Sequence, residues 1–144
     1  MTKNNLIKWS LHTLVCGSLM QATSGCSSTP VKVSQAKYVT SDRVLGMPRT
    51  MSTVPANIAV VCDKGLGAMA LLLKVDGKEI AKIYSGEKIE FKLDPGAHIF
   101  GVKMWEGTNV EIESTVRESE NAFYRILIPG YGVTIQKSAE IGKL

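Results

Sequence analysis

Few side chains in this sequence stand in a pattern that performs chemistry. Gly65-Leu66-Gly67-Ala68-Met69-Ala70 follows the strand-like Ile58–Cys62 and matches a G-x-G-x-x-A pattern, whose glycines let a pyrophosphate approach the first turn of a helix. The context opposes that use. A helix starting there has room for about two turns before Asp76-Gly77 reverses the chain, and no strand–helix alternation follows. A loop between strands is the reading taken.

His98 is the one histidine beyond the first 25 residues. A metal site of Cys62, Asp63 and His98 lacks any ligand spacing, so His98 reads as a strand-start residue beside the Pro95-Gly96 turn. Glu111 and Glu113 form a carboxylate pair of the kind glycoside hydrolysis uses. They alternate with Val110 and Ile112, which puts them on the wet face of a strand. No catalytic residue, metal or cofactor is expected from these patterns, and the protein reads as no enzyme. Two aromatic residues remain as ligand contacts. Trp105 enters the loop Glu106-Gly107-Thr108-Asn109, and Tyr131 stands between Gly130 and Gly132. If exposed, the two rings would form a stacking platform for a glycan; the alternative is that Trp105 folds back over the rim of the core.

The most chemically specific position is Cys26. The first 25 residues contain no Asp or Glu, Lys3 and Lys8 give a basic start, and Trp9 to Met20 is mostly apolar. That is the order of a signal peptide. Ala22-Thr23-Ser24-Gly25 then leads into Cys26. This resembles the lipobox of bacterial lipoproteins, which implies lipidation of Cys26 and a membrane anchor, although Thr23 stands where that pattern usually has Leu. A plain secretory signal cut after Ser24 is the alternative. By the same resemblance Ser27, rather than Asp, favours the outer membrane, with the domain facing the periplasm.

Cleavage alters the charge balance. The chain has 144 residues with 17 Lys+Arg against 13 Asp+Glu, a net of +4. Losing Lys3 and Lys8 leaves 15 against 13, a net of +2. No nucleic-acid partner is expected at that charge. No apolar run reaches the length of a membrane span. Cys16 leaves with the signal and Cys26 carries the lipid, so Cys62 remains a lone, buried thiol. Without lipidation, a Cys26–Cys62 bridge becomes available.

Three units follow: 1–25 a signal peptide, 26–55 the lipidated cysteine with a flexible tether, and 56–144 the folded domain. The tether is rich in Ser and Thr, carries Pro30, Pro48 and Pro55, and shows no sustained period. As a coil it would reach about 30 Å on average. Val31-Lys32-Val33 offers a short edge strand as an alternative.

Beyond Ala56 the period is 2. Glu87 to Asp94 alternates with Ile89, Phe91 and Leu93 on one face and charges on the other, and Val110 to Arg117 does the same. Phe123–Ile128 and Val133–Gln136 are shorter candidates. Asp76-Gly77 suits a type I′ hairpin between Leu71–Val75 and Lys78–Ile83, and Asp94-Pro95-Gly96-Ala97 a type II turn. Ser85-Gly86 and Pro129-Gly130-Tyr131-Gly132 mark further reversals. Ala68 to Lys74 favours helix by propensity, but reads as a strand buried on both faces. The fold expected is all-β, a small antiparallel β-sandwich of about seven strands after a cleaved signal peptide and a disordered tether.

Val75-Asp76-Gly77-Lys78, the charged alternating strand and Leu93-Asp94-Pro95-Gly96-Ala97-His98 together resemble the PEGA-like and related uncharacterised β-sandwich domains of bacterial envelope lipoproteins. The resemblance covers roughly 56–137 and rests mostly on turn residues. It implies location and fold and carries over no catalytic residue. The function expected is a non-catalytic binding or assembly module with an envelope protein partner; the alternative is a module that binds cell-wall glycan.

Overall fold

The computed structural model describes residues 28–65, 69–104, 107–130 and 132–139. Among them run nine strands: β1 (Lys37–Tyr38), β2 (Ala56–Cys62), β3 (Leu71–Val75), β4 (Lys78–Ile83), β5 (Glu87–Leu93), β6 (Gly96–Lys103), β7 (Asn109–Val116), β8 (Asn121–Leu127) and β9 (Thr134–Ser138). They form two sheets, ordered β1-β5-β2-β8-β9 and β4-β3-β6-β7. The protein is an all-β sandwich. The second sheet is antiparallel throughout, whereas the first contains two parallel pairs, β1–β5 and β2–β8.

Period-2 alternation explains how the sheets close on each other. Ile58, Val60 and Cys62 of β2 face Leu71, Leu73 and Val75 of β3 and Phe100 and Val102 of β6 across one core. At its centre the Phe100 and Tyr124 rings stack with centroids 3.9 Å apart. The Tyr124 hydroxyl donates to Ser114 Oγ at 2.9 Å, so β8 is tied to β7 in the opposite sheet. Each fully buried large side chain contributes on the order of 1.5–3 kcal/mol to such a core.

The expected helix-favouring run is a strand from Leu71, since β3 bonds to β4 and β6 on either side. It is not buried on both faces: Leu72 and Lys74 are only half-buried. The Asp76-Gly77 hairpin is as expected, with φ of 49° and 75°. The Pro95-Gly96 turn differs. Gly96 has φ of 143°, far from the roughly +80° of a type II turn, because here the chain leaves one sheet and enters the other. The crossing needs an extended glycine rather than a tight reversal.

The tether expectation is corrected for residues 28–55. They hold little regular structure, as their composition suggests, but they lie on the sandwich. Thr29 and Lys64 exchange both backbone hydrogen bonds, at 2.6 and 3.0 Å. Val31 and Ala36 are buried against Val61 on the outer face of the first sheet. Val31-Lys32-Val33 is not the edge strand; the pairing falls later, where β1 adds in parallel to β5. A 3-10 turn follows at Ser41–Arg43, and Val44 bridges Ala81 on the edge of β4. The reason is tertiary: β2 carries buried apolar residues on both faces, and among the described residues this segment packs on its outward-facing Val61. The same cover buries Lys88, which the alternation of β5 had assigned to a wet face; its ammonium sits 4.3 Å from the Tyr38 ring centroid and pairs with Glu90.

The sandwich has two distinct ends. At one, which we call the Lys64 end, β2, β4, β6 and β8 finish. The other, the Asp94 end, carries the Asp76-Gly77 turn, the Asp94-Pro95 crossover and the Arg117–Glu120 turn.

Candidate functional site

The Asp94 end is where side chains converge. A β-bulge between Leu73 and Lys74 on one strand and Glu79 and Ala81 on the other leaves Ile80 unpaired in the β3–β4 ladder. Its carbonyl instead accepts the backbone N–H groups of Leu45 and Gly46, at 2.8 and 3.2 Å. The strap 46–52 then runs on to Asp94, whose Oδ1 accepts from the backbone of both Met51 and Ser52 at 3.0 Å. These two bonds hold the Asp94 carboxyl below its ordinary value of 3.8, that from Ser52 most. Two donated N–H groups favour the ionised form.

Under the strap lies a cavity of about 520 Å³ lined by Met47, Pro48, Arg49, Asp76, Glu79 and His98 among others. His98 is fully engaged within it. Its Nδ1 lies 2.7 Å from Asp76 Oδ2 and its Nε2 lies 2.8 Å from the Asp94 carbonyl. Asp76 uses its other oxygen to accept from the Ile99 backbone at 2.9 Å. The imidazole thus clips the β3–β4 turn to the β5–β6 crossover. Among the described residues lining this cavity none carries a hydroxyl or a thiol.

The strap turns apolar side chains to solvent. From Leu45 to Met51 exposed and half-buried residues alternate. Leu45 and Met47 are exposed, and Met51 is 92% exposed. Val54 is exposed a little further on. An extended segment anchored at both ends would be expected to hide such residues, because burial is their cheapest state. Here the hydrogen bonds at Ile80 and Asp94 fix the backbone with these side chains outward.

The residues singled out from sequence are placed as follows. Cys26, Trp105 and Tyr131 lie outside the described residues, as do 66–68 of the glycine-rich pattern. Gly65 is described, and its Cα packs against Ile128: a Cβ there would sit 2.7 Å from Ile128 Cβ. Close packing between loop and strand accounts for this glycine. Cys62 points into the core, and burial pushes its thiol up to about 12, with Asp63 adding to the rise. Such a thiol is inert. Asp63 points the other way, onto Arg125, and His98 belongs to the opposite end, so the three residues form no cluster. Glu111 and Glu113 are exposed on β7 while Val110 and Ile112 pack against the core. That matches the wet-face reading.

Composition gave no warning of Asp94 as a strap anchor, because Asp before Pro-Gly reads as turn chemistry alone. Arg125 did leave a signal. A guanidinium inside Phe123-Tyr124-Arg125-Ile126-Leu127 demands a buried partner. Compared with known proteins, the chain matches no family model and no curated sequence.

Proposed function

We propose that this protein is a lipid-anchored lipoprotein of the bacterial envelope, at the outer membrane facing the periplasm, whose sandwich docks a protein partner without catalysis. The observation that carries the docking reading is the strap. It presents Leu45, Met47, Met51 and Val54 to water from a backbone held by Ile80 and Asp94. Exposed apolar side chains on a fixed segment favour a protein contact, and methionine adapts its shape to the surface it meets. The lipid anchor is supported by the order of residues ending at Gly25-Cys26.

A glycan platform has less support. Its two rings, Trp105 and Tyr131, are outside the described residues. Among the described aromatics Tyr38 is the one large exposed ring, and it is already bonded to Glu90 and faced by Lys88. The test is Met47→Lys combined with Met51→Lys in the full chain. Circular dichroism should be unchanged, while the mass of the detergent-solubilised complex falls to that of the lone protein. An unchanged complex would reject the strap as the docking element, and retention on cell-wall polysaccharide would favour the glycan reading instead.

A further inference from the structure

The Lys64 end carries a second surface. Cys26 is separated from Thr29 by Ser27 and Ser28 alone, and Thr29 is already bonded to Lys64 through both backbone groups. Two residues further on, the Val31 N–H donates to Asp63 Oδ1 at 3.0 Å and its carbonyl accepts from Arg125 Nη2 at 3.1 Å. Three residue steps span at most about 11 Å. A chain fastened at Cys26 therefore leaves this end of the sandwich almost no freedom to leave the point of attachment.

Among the described residues, exposed charge at this end is mostly positive. Lys32, Lys37, Lys64, Lys82 and Lys103 are exposed on or beside it. Against these five lysines stand two exposed carboxylates, Asp42 beside Arg43 and Glu111 bonded to Asn109, while Asp63 is buried against Arg125 and Glu87 is held by Arg43. The Asp94 end instead mixes Asp76, Glu79 and Glu118 with Arg49, Lys78 and Arg117. From these two features we infer that the sandwich stands end-on at the membrane, its Lys64 end resting on anionic phospholipid headgroups. The inference rests on the proposed acylation of Cys26 and adds an orientation and a lipid class to it. Each lysine near an anionic surface strengthens the attraction about fivefold. The strap, at the opposite end, is then held away from the bilayer.

The eight residues of β7 run between the two ends, a distance of about 26 Å at strand rise. That separation makes depth measurable. Thr108 and Glu118 are exposed on either side of β7. In the acylated protein Thr108→Cys and Glu118→Cys each accept a fluorophore selectively, because the Cys26 sulfur then carries the lipid and Cys62 is buried with its thiol pushed up to about 12. The full chain, purified from the membranes of producing cells, is placed in phosphatidylcholine vesicles with or without phosphatidylglycerol. Quenching by a headgroup spin-labelled lipid should be several-fold stronger at 108 than at 118 when phosphatidylglycerol is present. Lys64→Glu with Lys103→Glu should reduce that excess several-fold.

Equal quenching at 108 and 118, or an excess indifferent to both lipid charge and charge reversal, would overturn the end-on contact. The mass of the mature N-terminus, taken on the same sample, separates the two readings. Acylated Cys26 with equal quenching rejects the orientation alone; unmodified Cys26 rejects the anchor, and the orientation with it.

Discussion

Arg125 closes on Asp63 in a fully buried ion pair, and the hydrogen bonds each has left over go to the backbone of Val31. Asp63 has no exposed surface and Arg125 has 4%. A buried pair of this kind stabilises little against an apolar replacement, but removing one member leaves a charge without a partner. Here the pair has a second role, since it helps to bind the N-terminal segment to the sandwich through Val31.

Two substitutions separate these roles. Arg125→Ala should cost about 3–5 kcal/mol, because Asp63 is left buried and unpaired. Asp63→Leu with Arg125→Met should recover most of that loss while still freeing Val31. Urea denaturation reads the first effect. Tryptic cleavage at Lys32 and Lys37 reads the second: we expect it to quicken in both variants. Slow cleavage in the double variant would show that the apolar packing of Val31 and Ala36 and the backbone bonds of Thr29 and β1 hold the segment without the ion pair.

The strands were legible because most have one wet side. In β5, Ile89, Phe91 and Leu93 are buried at every second position; in β7, Val110 and Ile112 alternate with exposed glutamates. The N-terminal segment was not legible for the opposite reason. Val31 and Ala36 are isolated apolar residues in a polar stretch, and their burial depends on Val61 on the outer face of β2, far away in the chain, while Val39 joins the main core. Local composition carries no trace of such a partner. The same limit hid the strap. Nothing near Asp94 in sequence shows that its carboxylate receives Met51 and Ser52, more than forty positions earlier.

Gly65 tests the packing account of the glycine-rich loop. Its Cβ would meet Ile128 Cβ at 2.7 Å, so backbone must shift to admit it. Gly65→Ala should destabilise the protein by about 1–3 kcal/mol, and the same change should cost less in an Ile128→Gly background, where the opposing Cβ is absent. A neutral Gly65→Ala, measured by thermal melting, would remove the close-packing explanation.

The His98 clip predicts a stability effect with no loss of binding. Asp76→Ala removes the acceptor of both His98 Nδ1 and the Ile99 N–H, and it places Ala at φ of 49°, which a side chain without a polar group adopts poorly. We expect a loss of about 1–3 kcal/mol. Asp76→Asn keeps an acceptor and tolerates that backbone, so it should lose less. Equal losses in the two variants would mean that the clip contributes nothing beyond charge.

Acid should release the strap before it unfolds the sandwich. Hydrogen bonds from Ser52 and then Met51 depress the Asp94 carboxyl below its ordinary 3.8. The Arg43 guanidinium, foremost through its hydrogen bonds to Glu87, depresses that carboxyl below its ordinary 4.5. A carboxylate depressed in the folded state stabilises it fully above the ordinary value, and that contribution is lost as the pH falls through the depressed one. Both groups fasten residues 40–52 and neither lies in the core. We therefore expect amide protection at Met51 and Ser52 to be constant from neutral pH down to the ordinary carboxylate range and to fall below it, while the amides of β2 stay protected. Hydrogen exchange corrected for intrinsic pH dependence measures this directly. In Asp94→Asn the amide oxygen still accepts but no longer titrates, so protection at Met51 and Ser52 should be weaker and flat with pH. Protection in the wild type that is flat across the same range would show that the strap is held by its contacts with Ile80 and the cavity wall, and not by the Asp94 carboxylate.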